Sequence, residues 1–238
     1  MAIFEPTLKE GMAWKTWNNA AEQARGLAEA VADALREALI ERGRALLVVS
    51  GGRSPVAFLE ALSGAVLDWS KVAVSLADER WVPESQPDSN AGLLRRHLLK
   101  GEAGKAQFIG LYQPASSLEE AADKTDRFLH ELTLPIDVLV LGMGDDGHTA
   151  SLFPGSTNLV EALDPAGTRR CLPMWAPTVP HQRLTLTRAV LQGARVQILA
   201  IQGESKLATL SQALSDNDDQ RMPVNAFLRS PLSIHWCP

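Results

Sequence analysis

The chain has 238 residues, 45% of them hydrophobic and 21% charged, with a formal net charge of −5. That much apolar sequence fills one large α/β domain or two small ones. The mild acidity excludes a general attraction to nucleic acid or anionic membranes, so an anionic ligand must be drawn in by a few placed cations and backbone N–H groups. The first element in chain order is a helix over Asn18–Arg42. Ala24, Leu27, Ala28, Val31, Leu35, Ala38 and Leu39 recur at helical spacing with charged residues between them, and Gly43 is the stop. Ala45–Val49 reads as a strand. Ser54 and Pro55 open a helix through Leu62, with Ser54 as its cap. Val72–Leu76 is the next strand, followed by a helix capped by Asp88, Ser89 or Asn90 and carrying Leu93, Leu94, Leu98 and Leu99. A helix follows over Leu118–Leu132, then a strand over Ile136–Leu141. Arg169–Met174 and Arg183–Thr187 are shorter strands, and Val196–Ile201 is a long one. Lys206–Leu214 is helical, the chain then turns polar toward Arg221, and Leu232–His235 closes it as a strand. Near-continuous apolar strands alternating with helices predict an α/β fold, a mostly parallel sheet covered on both faces, in one domain over residues 1–238.

No apolar run approaches the ~20 residues that span a bilayer. The opening MAIFEPTLKEGM lacks the basic-then-apolar pattern of a signal peptide, so a cytoplasmic protein is expected. Cys171 and Cys237 show neither metal nor redox spacing and read as reduced thiols.

Four strands end in polar or glycine-rich loops. These are Ser50-Gly51-Gly52-Arg53, Asp78-Glu79-Arg80, the loop after Leu141, and Gln202-Gly203-Glu204-Ser205-Lys206. Ligands of an open parallel sheet bind outside the carboxyl ends of its strands, so these loops are expected to form one crevice. The Ser50–Pro55 loop runs into a helix N-terminus, where free N–H groups favour an anion such as phosphate and Arg53 adds charge; an ordinary tight turn fits the same residues. It lacks the G-K-[ST] ending of a Walker loop. Lys206 opposes the dipole at a helix start, an odd choice unless it meets a phosphate. Arg183 begins a strand, and a surface role is its default.

The loop after Leu141 holds Asp145, Asp146 and His148. An imidazole titrates near ~6.5 and takes a proton from water at neutral pH, and a neighbouring carboxylate holds its tautomer. A turn histidine beside a capping aspartate is the bland alternative. His97, His130 and His235 read as structural, and His181 stays open. Gly142, Gly144 and Gly147 match G-x-G-x-x-G. The two aspartates would repel a pyrophosphate, however, Pro154 comes too soon for the long helix, and no acidic residue closes a second strand ~20 residues on. A metal held by Asp78, Glu79, Asp146 and His148 matches no known ligand spacing.

Seven motifs run along the chain: SGGRSP at 50–55, DERWVP at 78–83, DSNAGLLRRHLL at 88–99, DVLVLGMGDDGHTASLFPGS at 137–156, RLTLT at 183–187, GESK at 203–206 and MPVNAFL at 222–228. Taken together, they resemble the glucosamine-6-phosphate isomerase/6-phosphogluconolactonase family. The resemblance implies a Rossmann-like sheet flanked by helices. Where the deaminase branch carries an acidic residue for ring opening and isomerisation, this chain has Phe153, which cannot move a proton; the lactonase branch is favoured. The loop that often reads Ser-Gly-Gly-Ser-Thr-Pro in the family has Arg53 and Ser54 here. The implied reaction is hydrolysis of a phosphorylated sugar lactone without metal or organic cofactor. His148 is then the general base on water, oriented by Asp146. Arg80 or glycine-loop N–H groups stabilise the oxyanion, Asp78 contacts sugar hydroxyls or Arg80, and Ser50, Gly51, Gly52, Arg183 and Lys206 hold the phosphate. No nucleic acid or membrane partner is implied, and the chain is expected to act as a monomer or small homo-oligomer. An isomerase or deaminase of the same fold, a non-enzymatic sugar-phosphate sensor and, last, an NAD-dependent oxidoreductase are the alternatives.

Overall fold

The computed structural model describes residues 6–8, 10–130, 132–229 and 231–238. The opening segment read for a signal peptide therefore lies partly outside the described residues, as does position 131 within the helix expected over 118–132. No helix among the described residues is long and apolar enough to cross a membrane.

Helix α1 spans Ala20–Arg42. Asn19 caps it, its side chain accepting from the Glu22 N–H at 2.9 Å, and Gly43 ends it in the left-handed region at φ 69°. The apolar stripe read from the sequence is its buried face. The later helices are α2 (Val56–Ser63), α3 (Asn90–His97), α4 (Leu118–Leu129), α5 (Leu159–Ala162), α6 (Arg188–Leu191) and α7 (Glu204–Ser215). Strands β1 (Met12–Thr16), β2 (Ala45–Val49), β3 (Val72–Leu76), β5 (Gln107–Ile109), β6 (Val138–Leu141), β9 (Val196–Gln202) and β10 (Leu232–Cys237) form one sheet in the order β1-β10-β9-β6-β2-β3-β5. Every pairing in it is parallel. β2 and β6 are buried along their whole length. Burying each large aliphatic side chain contributes about 1.5–3 kcal/mol, and such burial is what apolar runs without alternation signal. The two edge strands β1 and β5 were not marked in the sequence. β1 alternates exposed and partly buried residues, and β5 has only three residues.

A second, antiparallel sheet of order β4-β8-β7 comprises β4 (Asp78–Arg80), β7 (Cys171–Trp175) and β8 (Gln182–Leu186). The strands expected near 169–174 and 183–187 thus exist but leave the parallel sheet. Ala77 is the joint. Its N–H donates to the Val49 carbonyl at 2.9 Å, and its own carbonyl accepts from the Leu186 N–H at 2.9 Å. The chain leaving β3 therefore passes directly from the large sheet into the small one, which sits at the carboxyl ends of the central strands.

His235, on β10, is fully buried, neither ring nitrogen has a partner, and its ring tilts against Trp17 with centroids 5.9 Å apart. Burial, helped by Lys15, pushes its pKa down to about 4. The native state therefore resists protonation, while the unfolded chain takes the proton near 6.5. Stability from this group is present above that value and is lost as pH falls toward 4. The loss is on the order of 3 kcal/mol. Buried Glu79, pushed up to about 7, acts in the opposite sense, because its native state favours the proton. A wild-type titration mixes the two. Urea unfolding of His235→Leu beside wild type separates them: the variant is expected to gain relative stability as pH drops from 7 to 4, and parallel curves would count against a titrating His235.

Candidate active site

The strand order reverses between β2 and β6: the chain builds β2, β3 and β5 to one side, then β6, β9 and β10 to the other. A crevice opens outside the carboxyl ends at such a point. Here it is a cavity of about 360 Å³. All four loops singled out in the sequence reach it. Ser50, Gly51, Gly52 and Arg53 come from the loop after β2, Asp78 and Arg80 from β4, His148 from the loop after β6, and Lys206 from the first turn of the helix that follows β9. Arg183 on β8 completes the set.

The loop after β6 brings an imidazole and a carboxylate together. His148 Nδ1 lies 2.5 Å from Asp146 Oδ1, and the same oxygen accepts from the His148 backbone N–H at 3.0 Å. Burial acts to raise the Asp146 carboxyl, but these bonds outweigh it and hold it below the ordinary carboxylate range. Asp146 itself does not line the cavity and reaches it only through its contact with His148. The ring of Phe153 packs on His148 at 4.6 Å between centroids, and the Arg183 guanidinium lies over the Phe153 ring, 5.8 Å from its centroid. Two glycines of the apparent dinucleotide fingerprint, Gly144 and Gly147, find a separate explanation. Gly147 takes φ +79°, and a Cβ on Gly144 would lie 2.1 Å from His148 Nδ1. No long helix follows, for the next one, α5, is Leu159–Ala162.

Arg80 and Arg183 are directly opposed in the β4–β8 ladder. Like charges in that position repel, so the pair favours an anion between or beside them. Arg183 is buried, with its Nε donating to the Pro180 carbonyl at 2.8 Å; the default surface role is corrected by the small sheet, which faces it inward. Desolvation lowers its pKa, partly offset by Asp78. Arg80 Nη1 donates to the Asp88 carbonyl at 2.5 Å and to Asn90 Oδ1 at 3.0 Å. Arg80 Nε and Ser50 Oγ are both buried without a partner.

Asp78 meets Ser151 Oγ at 2.6 Å and is tied to Arg80 only indirectly, through its backbone carbonyl and Asn90. Glu79 faces away from the crevice. It accepts from the N–H groups of Arg80, Asn90 and Ala91 at 2.7–2.8 Å, and so anchors α3 (Asn90–His97). No group of three or more His, Cys, Asp or Glu able to hold a metal occurs among the described residues. Arg53 is exposed at the mouth. Ser54 does not cap α2 (Val56–Ser63). The boundary residue is Pro55, because the chain turns at Arg53–Pro55 with the Val56 N–H reaching back to the Arg53 carbonyl, and α2 starts without a side-chain cap. On α7 (Glu204–Ser215), Lys206 Nζ sits 2.9 Å from Asp145 Oδ1, an exposed carboxylate that this bond holds below its ordinary range.

Two wall residues, Gln23 and Asn90, escaped the sequence reading. Gln23 of α1 donates to the carbonyls of Ile201 and His235 and accepts from Gln202 Nε2, all at 2.8–2.9 Å. Its signal was a polar residue on the apolar stripe. Asn90 was read only as a candidate cap, but Ser89 is the cap, accepting from the Gly92 N–H at 3.1 Å.

The family model described as glucosamine-6-phosphate isomerases/6-phosphogluconolactonase matches residues 18–236. A 6-phosphogluconolactonase of Pseudomonas aeruginosa is 73% identical over 238 residues, covering all of both chains. One of Pseudomonas putida is 61% identical over 90% of this chain and 88% of its own. A crystal structure of a 6-phosphogluconolactonase from Shewanella baltica superposes with a TM-score of 0.92 at 38% identity, covering 98% of this chain and 100% of that one.

Proposed function

Because the chain belongs to the glucosamine-6-phosphate isomerase/6-phosphogluconolactonase family, we propose that it hydrolyses 6-phospho-D-glucono-1,5-lactone to 6-phosphogluconate, the second step of the oxidative pentose phosphate pathway. The observation that carries this reading is one cavity holding both a carboxylate-held imidazole and a cluster of cations. With Nδ1 engaged by Asp146, the Nε2 of His148 is the basic nitrogen. It takes a proton from water as the oxygen attacks the lactone carbonyl. Arg80, with its unpartnered Nε, or N–H groups of the glycine loops stabilise the oxyanion. The ring C–O bond then breaks, and the departing oxygen takes the proton back from His148. Asp78 orients sugar hydroxyls. Ser50, Gly51, Gly52, Arg53, Arg183 and Lys206 hold the phosphate, whose binding energy positions the carbonyl. The ester is reactive enough to need no metal or organic cofactor. The protein acts in the cytoplasm as a monomer or small homo-oligomer.

The direct test generates the lactone in place with glucose 6-phosphate dehydrogenase and subtracts spontaneous opening. Hydrolysis at the spontaneous rate would sink the proposal, and ammonia release from glucosamine 6-phosphate would redirect it to the deaminase branch. Lys206→Ala is expected to raise KM for the phosphorylated lactone roughly 10–100-fold, the worth of a charged hydrogen bond. The Asp145 pair costs little to break, since it is largely exposed. An equal loss on an unphosphorylated lactone would remove Lys206 from phosphate binding.

A further inference from the structure

Asn90 is buried, 2% exposed, at the point where three parts of the cavity meet. Its Oδ1 accepts from Arg80 Nη1 at 3.0 Å, and its Nδ2 donates to the Asp78 carbonyl at 2.9 Å. The orientation of the amide is forced, because a guanidinium only donates and a backbone carbonyl only accepts. On its third side it underlies the glycine loop: a Cβ at Gly51 would lie 2.1 Å from Asn90 Oδ1. Its backbone is held as well, the N–H donating to Glu79 Oε1 at 2.7 Å. Arg80 therefore has one end of its guanidinium tied to Asp88 and Asn90, while its buried Nε has no partner.

We propose that Asn90 is a positioning residue for the hydrolysis, its side-chain amide locking the Arg80 guanidinium to the β3–β4 junction so that the remaining donors face the substrate. This rests on the reading of Arg80 as an oxyanion or substrate donor. An amide is required. A carboxylate in its place puts an oxygen against the Asp78 carbonyl and gives Arg80 a full counter-charge, and an apolar group leaves both partners unpaired.

The test is a double-mutant cycle on kcat/KM for the phosphorylated lactone, with Arg80→Ala and Asn90→Leu, whose side chain has the same branching. Asn90→Leu alone is expected to lower kcat/KM about 10–100-fold, the range for a hydrogen bond to a charged group. Arg80→Ala is expected to lower it more. The double variant should match Arg80→Ala within about twofold, because Asn90 has nothing left to position. Additive losses would overturn the proposal and leave Asn90 a part of the fold only. Wild-type kcat/KM in Arg80→Ala would instead overturn the reading of Arg80, and the inference with it. Should Asn90→Leu fail to fold, the same cycle is run with the isosteric Asn90→Asp, for which the same non-additivity is expected and additivity is again fatal.

Discussion

His148→Ala is expected to lower kcat by roughly 10²–10⁴-fold with little change in KM, the range for loss of a general base. The geometry separates this residue from the binding groups. It lines the cavity on the loop after β6, whereas the cations come from the loop after β2, from the small sheet and from α7. Its side chain is 31% exposed, so its removal leaves no large void and the fold is expected to persist. Asp146→Asn should act in the same direction. The amide can present its N–H to Nδ1, and then the wrong nitrogen of the ring is left to face water. A His148→Ala enzyme with near-normal turnover, measured against the spontaneous rate, would remove His148 from the mechanism.

The second large effect is expected at a residue with no side chain. Gly144→Ala should lower kcat by about 10²-fold, the cost of displacing a reacting group by about 1 Å. A methyl there would stand 2.1 Å from His148 Nδ1 and 2.6 Å from Asp146 Oδ1, so the pair must move. The backbone gives no relief. The Gly144 N–H donates to the His148 carbonyl at 2.8 Å, and its own carbonyl accepts from the Gly147 N–H at 3.2 Å. Gly144 lies outside the sheet, so thermal unfolding should change little while turnover falls. Wild-type kcat in Gly144→Ala would show that the pair tolerates displacement.

Much of this was legible in the chain. Leu47, Val48 and Val49 could be placed in a buried strand because parallel strands covered on both faces need continuous apolar runs. His148 and Asp146 could be paired because two residues of separation in a glycine-rich turn bring them together whatever the rest of the fold does. Arg183 and Asn90 are different. Nothing local distinguishes an arginine at the start of a short strand from a surface arginine. Its burial comes from β8 pairing with β4 across about a hundred residues of sequence. Asn90 looked like a helix cap because its neighbours Asp88 and Ser89 offered the same chemistry, and only the packing of Glu79 and Arg80 against it gives it another task.

The sequence by itself determined what depends on near neighbours: the apolar runs, the helix stops, the pairing of Asp146 with His148, and the family to which the motifs belong. Tertiary structure alone decided which strands leave the parallel sheet, that Arg80 stands opposite Arg183, and that Lys206 meets Asp145 of the loop after β6. Local signals are written in a few residues' geometry, whereas the small sheet and the cavity it closes depend on contacts between segments far apart in the chain.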